Sequence, residues 1–141
     1  MRHLTDLDVR TNLAAGREVE QLLPERHERD QCVIRYISIE RPGPDCWRVR
    51  LCEVFDNGTP DFIDLYEFEA TDPDLPFGDE WTFDSIERAM AFARDALGAS
   101  HDRYVNRGVV QDEYRERYHP EWVASPFPPP RVGPEKQTDR R

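Results

Sequence analysis

Three charged side chains stand in apolar runs of the central segment, at positions where acid–base chemistry would be possible. Arg35, Glu53 and Asp64 fall on the alternate positions that we expect to face the core of a sheet. Burying ionised groups is costly unless they pair, and one arginine against two carboxylates leaves an acid in excess. We expect the pKa of that acid to be raised, so this polar row is the catalytic or ligand-binding candidate. The alternative is a structural ion pair at the end of the sheet.

An acidic stretch is the second candidate. It runs from Glu53 to Glu80 with ten carboxylates, and no Lys or Arg occurs between Arg50 and Arg88. Such asymmetry predicts a negative surface that attracts a basic protein partner, with an aromatic side chain as anchor. The predicted partner-binding residues, in the turn at 56–61 and the loop at 72–80, are Asp56, Asp61, Asp72, Asp74, Phe77, Asp79, Glu80 and Trp81. Alternatively, these charges only keep the protein soluble.

A proline-rich segment near the C-terminus is the third candidate. Pro126, Pro129 and Arg131 satisfy the pattern P-x-x-P-x-R. Such segments form polyproline II helices that bind in the aromatic grooves of SH3-type domains. The alternative interpretation has the tail lying over its own domain, with Trp122 and Phe127 as anchors.

Motifs for cofactors and metals are missing from the sequence. There is no glycine-rich phosphate loop, so we expect no nucleotide cofactor. The pair Asp72-x-Asp74 does not match an EF-hand loop, and the four histidines are scattered. The three cysteines include no C-x-x-C pair and are interpreted as small core residues. We therefore predict no cofactor and no metal, and we favour a non-enzymatic function.

The formal net charge of −10 over 141 residues limits the kinds of molecule that the protein can bind. Direct binding to a phosphate backbone takes clustered Lys and Arg, so we expect no contact with nucleic acid. The first residues carry no apolar signal segment and apolar runs are short, which predicts no membrane association and a cytoplasmic location. The near absence of lysine is typical of a GC-rich, bacterial genome.

The elements that must position these residues begin with an antiparallel meander. Three runs rich in β-branched and aromatic residues, at 32–40, 46–55 and 62–69, are separated by turn sequences. Their alternation predicts one core face with the polar row at its end. The second face, with Ile34, Tyr36, Cys52, Ile63 and Leu65, would be partly apolar.

Helices are predicted around the meander. Leu13, Val19, Leu22 and Leu23 recur at loosely helical spacing in the first 30 residues. An amphipathic helix at 84–97 begins with a capping box at Asp84 and ends before Gly98. A second helix is expected at 110–118. The predicted division is a helical lead-in (1–30), an α+β domain (31–119) and a Pro-rich C-terminal tail (120–141).

The resulting fold class is α+β, a three-stranded antiparallel meander packed by one amphipathic helix, with flanking helices and an extended Pro-rich tail. The leading functional hypothesis is a non-enzymatic acidic interaction or regulatory module that binds a basic surface of a partner. One alternative is a small enzyme or ligand-binding protein using the polar row. Another is a homo-oligomeric structural subunit that pairs through the second sheet face; the sequence leaves the oligomeric state open.

Overall fold

The computed structural model describes residues 2–124, in which one long strand organises an antiparallel sheet. This strand, β3 (Gln31–Gly43), pairs on one side with β4 (Cys46–Phe55). On its other side it pairs with β1 (Val19–Leu22) and β2 (Arg26–Glu28). The residues of β3 therefore contact both halves of the sheet.

Two shorter strands and three helices complete the fold. β5 (Asp79–Phe83) pairs with β4 and β6 (Val105–Asn106) pairs with β1, giving the order β5-β4-β3-β1-β6 with β2 beside β3. The helices of nine or more residues in the described part are α1 (Asp6–Ala14), α2 (Ile86–Leu97) and α3 (Val109–Tyr118). The predicted α+β class with an antiparallel sheet is confirmed.

None of the helices within residues 2–124 has the length and apolar character needed to cross a lipid bilayer.

The N-terminal helix is shorter than predicted. A capping box starts α1, because Thr5 Oγ1 accepts from the Asp8 N–H at 3.1 Å and Asp8 Oδ2 accepts from the Thr5 N–H at 3.2 Å. The helical interpretation of 13–23 is wrong beyond Ala14, since Gly16 has a positive φ of 81° and the next segment forms β1. All four residues of β1 are buried, which hides the alternation that marks a strand in sequence.

The hairpin between β2 and β3 was also missed. Arg29 and Asp30 connect the two strands with positive φ angles of 52° and 67°. A two-residue hairpin turn of this kind favours Asn-Gly, so an Arg-Asp pair gives little signal in sequence.

The third strand of the predicted meander is wrong. Residues 62–69 instead contain a short 3₁₀ helix at Leu65–Glu67, and the outer neighbour of β4 is β5. Asp64 caps the 3₁₀ helix, where its Oδ1 accepts from the Tyr66 N–H at 3.1 Å. This local hydrogen bond competes with strand pairing and favours a turn.

The core face predicted for β3 and β4 is confirmed, but the third predicted strand does not contribute to it, because Asp64 caps the 3₁₀ helix and Tyr66 packs against Tyr36. The odd-numbered side chains of this face, from β3, β4 and β5, pack against apolar side chains of α1 and α2. Members of this core include Val9, Leu13, Val19, Ile37, Ile39, Val49, Ala89, Ala93 and Leu97.

The start of α2 differs by one residue from the prediction, because Ser85 rather than Asp84 is the N-cap, and its Oγ accepts from the Arg88 N–H at 3.2 Å. Gly98 ends α2 with a φ of 86°, as expected.

The chain divides into two compact units between Gln111 and Asp112. α3 confirms the helix predicted at 110–118. In the second unit the ring of His119 stacks on that of Trp122, with centroids 3.7 Å apart. A one-turn helix, α4 (Glu121–Ala124), occupies the start of the predicted extended tail. The motif residues Pro126, Pro129 and Arg131 lie outside the described residues.

The loop at 72–78 lies very close to β4 at Gly78. The φ of this glycine is 90°, and an added Cβ would lie 2.5 Å from the Leu51 carbonyl oxygen. Gly98 has a similar φ of 86° but open space around it. We expect Gly98→Ala to lower the free energy of unfolding by about 1–2 kcal/mol through backbone strain alone. Gly78→Ala should lower it by about 3 kcal/mol or more, because the clash adds to that strain. Denaturant unfolding measures both, and equal losses would show that the loop can move away.

Candidate functional site

The acidic loop, defined as residues 72–78, is attached to the sheet at both ends. Before it, the Thr71 N–H donates to the Glu53 carbonyl at 3.0 Å, and the Phe55 N–H donates to the Glu69 carbonyl at 2.9 Å. After it, β5 pairs with β4. Both attachments are on the same strand, so the loop projects from one edge of the sheet.

Short-range hydrogen bonds shape the loop between these attachments. The Leu75 N–H donates to the Asp72 carbonyl at 2.9 Å, and the Gly78 N–H donates to the Leu75 carbonyl at 3.0 Å. Asp72 Oδ1 also accepts from the Asp74 N–H at 2.9 Å. Aspartate side chains commonly stabilise turns in this way. The loop is therefore held in two successive turns.

Three carboxylates at this edge remain unneutralised. Asp72, Asp74 and Asp79 are exposed and form no ion pair with any residue in the described part of the chain. Glu80 differs, because its Oε2 accepts from the Arg50 guanidinium at 2.6 Å. The loop thus carries negative charge next to a neutralised pair.

The 56–61 turn contributes less to this acidic surface. Asp56 is half-buried, and its Oδ1 accepts from the Gly58 N–H at 3.1 Å within the turn. Asp61 is exposed. Four of the five exposed carboxylates of the predicted binding set therefore lie in and beside the loop, and the fifth is Asp61.

Of the two predicted aromatic anchors, only Phe77 is accessible. It is 80% exposed, and its neighbour Leu75 is 39% exposed. Trp81 instead packs against the core, with its ring centroid 4.8 Å from that of Phe92. An apolar side chain thus stands among the acidic groups of the loop.

The polar row is only partly assembled. Arg35 and Glu53 lie directly opposite each other in the β3–β4 pairing, and the Arg35 Nε–H donates to Glu53 Oε2 at 2.9 Å. Asp64 is elsewhere, where its Oδ1 accepts from Gln111 Nε2 at 2.9 Å. The second side chain that contacts Glu53 is Arg26 of β2, whose Nη2 lies 3.3 Å from Glu53 Oε1.

The expected raised pKa in this row is wrong. Burial alone would raise the pKa of Glu53, but hydrogen bonds from Arg26 and Arg35 lower it below its ordinary value. Two arginines contact Glu53, and Arg26 also pairs with Glu28 at 2.8 Å, so two positive charges balance two negative charges. This geometry matches the structural ion pair at the sheet end rather than an acid–base site.

A buried carboxyl group that sequence reasoning missed lies on the other face of the sheet. Glu20 of β1 is 1% exposed. The Tyr66 hydroxyl lies 2.8 Å from both carboxyl oxygens, and the Gly108 N–H donates to Oε1 at 2.9 Å. Both partners are far from Glu20 in the chain, so no local sequence pattern predicts that this carboxyl group is buried and hydrogen-bonded.

Burial raises the pKa of the Glu20 carboxyl, and the hydrogen bonds from Gly108 and Tyr66 offset only part of that rise. Burial also raises the pKa of the Cys52 thiol on the same face, which disfavours a thiolate nucleophile. Glu20 is therefore the group on this face with acid–base potential.

No protein-family model, curated protein or solved structure matches this chain.

The second sheet face, predicted as an oligomer surface, is covered within one chain. Ile34, Tyr36 and Leu65 are all buried, and the ring of Tyr66 packs edge-on against Tyr36 with centroids 6.2 Å apart. These three residues are therefore not exposed for self-pairing, whereas Cys52 and Ile63 are half-buried. Among residues 2–124, no cluster of three His, Cys, Asp or Glu side chains is arranged to hold a metal ion.

The raised pKa of Glu20 predicts a pH-dependent stability. Glu20 binds its proton more tightly in the folded chain than in the unfolded chain. Its contribution to the free energy of unfolding is therefore full below about pH 4, near the pKa of an unfolded glutamate, and is lost as pH rises through the folded pKa. Glu20→Gln keeps the side-chain shape but cannot ionise, so we expect it to gain stability relative to the wild type as pH rises.

Chemical unfolding of both proteins at about pH 5 and about pH 8 measures this difference. Asp102→Asn, at an exposed position, is the control and should show no comparable trend. A stability difference between Glu20→Gln and the wild type that does not change with pH would contradict the raised pKa.

Proposed function

We propose that the protein is a non-enzymatic interaction module whose acidic loop binds a basic surface of a protein partner. The observation that carries this proposal is the exposure of Phe77, which is 80% accessible beside Asp72, Asp74 and Asp79. Binding interfaces commonly combine an apolar anchor with charges that match those of the partner. The acidic loop has both features, because Phe77 is the apolar anchor and the aspartates supply the charges.

The attachment of the loop supports this function energetically. Both of its ends hydrogen-bond to β4, and two turns fix the residues between them. A loop that is already ordered loses less conformational entropy on binding than a disordered one. The apolar area of Phe77 that becomes buried in the complex can therefore contribute to affinity with little opposing loss of entropy.

The charge of the loop supports the choice of a basic partner. Three neighbouring carboxylates lack ion pairs within the described residues, so a cationic surface could approach without displacing an existing partner. Opposite charges increase the rate of encounter, and this increase weakens as salt screens them. The interaction should consequently be salt-sensitive.

Neutralising the loop tests the electrostatic part of the proposal. The triple variant Asp72→Asn, Asp74→Asn, Asp79→Asn should bind the partner about tenfold or more weakly and with a smaller salt dependence. The matched control, Asp84→Asn with Asp95→Asn and Asp102→Asn, changes the net charge equally at exposed sites outside the loop.

The partner is identified by native mass spectrometry of the tagged chain recovered from its own cells, and affinities are then measured with the purified pair. Absence of any basic protein at fixed stoichiometry would overturn the proposal. Equal binding by the two triple variants would also overturn it, because the loop would then have no special role.

Replacing the anchor tests the apolar part. Phe77→Ala should weaken binding about tenfold or more, while the melting temperature stays unchanged because the ring is exposed. Leu7→Ala is the control, since Leu7 is 72% exposed but belongs to α1. Wild-type affinity in the Phe77→Ala variant would show that the loop is not the contact surface.

A further inference from the structure

A cavity of about 200 Å³ lies between the second sheet face and the acidic loop. Its sheet side includes Tyr36, Ser38 and Cys52, and its loop side includes Leu75 and Phe77. All of its lining residues belong to the first compact unit. The space is large enough for a small organic molecule.

Most of the charged side chains that line the cavity are already paired with other side chains. Arg107 Nε lies 3.2 Å from Glu18 Oε1, and the Arg50 guanidinium contacts Glu80. Glu53, also at the cavity wall, pairs with the arginines described above. Glu20 is the exception, because it forms no ion pair with any residue of the described part. A buried carboxylate without a counter-ion is energetically costly.

Glu20 also keeps unused hydrogen-bonding capacity. A carboxylate offers about four acceptor positions. The Tyr66 hydroxyl has one hydrogen to share between the two oxygens, and the Gly108 N–H supplies a second hydrogen. Glu20, which lines the cavity, therefore has acceptor positions left for further donors besides its present partners.

Aromatic rings surround this carboxyl group. Tyr36 and Tyr66 both line the cavity beside Glu20, and Phe68 lies on the apolar side with Leu75. Aromatic faces attract organic cations, as the Arg107 guanidinium 5.1 Å from the Tyr66 ring centroid already shows. The ring of Tyr36 also lines the cavity, is 5% exposed and packs edge-on against Tyr66. The cavity therefore combines an acceptor for a cation with walls that suit an apolar group.

We propose that this cavity binds a small organic ammonium ion, with its N–H groups directed to Glu20 and its apolar part held between Phe68 and the acidic loop. The ligand class is a primary amine with one compact apolar group. The ammonium supplies the counter-ion and hydrogen-bond donors that Glu20 lacks. This proposal does not rest on partner binding, because it depends on Glu20, although Phe77 both lines the cavity and is exposed on the acidic loop.

Binding of a cation is linked to the protonation of Glu20. The groups that interact with Glu20 are Tyr66, Gly108, Glu18 and Arg107, together with Tyr36 of β3 and Cys52 of β4. Since burial favours the neutral carboxyl, an ammonium ion must bind with release of that proton. Affinity should therefore rise with pH through the pKa of Glu20, until the amine itself loses its charge.

Benzylamine is the probe, and benzyl alcohol is its neutral counterpart of the same shape. Amide NMR spectra of the full nitrogen-labelled chain, recorded during titration, locate the binding site and give the affinity. We expect shifts at Gly108 and along β1, and binding of benzylamine about tenfold or more tighter than that of benzyl alcohol. In Glu20→Gln this preference and the rise of affinity with pH should both disappear.

Asp95→Asn is the matched control, because it removes one carboxylate from α2 on the opposite side of the sheet. Tyr66→Phe is a second variant, which removes a hydrogen bond to Glu20 but keeps the carboxyl group that can ionise, and it should retain the preference for the amine. The proposal is overturned if benzylamine causes no shifts in the cavity up to its solubility limit. Equal affinities for the two probes, or unchanged affinity in Glu20→Gln, would also overturn it.

Discussion

The antiparallel pairing of β3 with β4 determines what each face of the sheet contains. Ile37 lies opposite Leu51 on the core face, and Tyr36 lies opposite Cys52 on the other face. A slip of one residue would move each side chain of β3 to the opposite face and bury Ser38 in the apolar core. The ion pair between Arg35 and Glu53, which lie opposite each other in this pairing, favours the observed register. Both the core under α2 and the cavity behind the acidic loop depend on this alignment.

The parts of the fold that the sequence predicts well are those whose partners are close in the chain. β3, β4, α2 and α3 follow from alternation, helical spacing and local stops such as Gly98. β1 could not be found in this way, because its polar residues are buried and satisfied by distant groups. Gln21 exchanges two hydrogen bonds with the backbone of Ser100, and Glu20 depends on Gly108. Such long-range pairs leave no periodic pattern.

The sequence also predicts the charge of the candidate site better than its geometry. Clustered acids identify the acidic loop, but the exposure of Phe77 and the burial of Trp81 depend on where β5 pairs with β4. Arg48 and Arg50 of β4 pair with Glu40 of β3 and Glu80 of β5, which lie on the two strands next to β4. Sequence spacing restricts which charges can meet, whereas the actual partners depend on which strand lies next to β4.

The edges of the sheet bear on the behaviour of the protein in a crowded cell. An unpaired strand edge is a template on which other chains can add strands and aggregate. Among the described strands that pair with a single neighbour, β6 has two residues, β2 has three, and β5 begins with Asp79 and Glu80. Charge and shortness both discourage strand addition. The acids beside the loop therefore have a second physical consequence, which is protection against amyloid-like growth along the sheet.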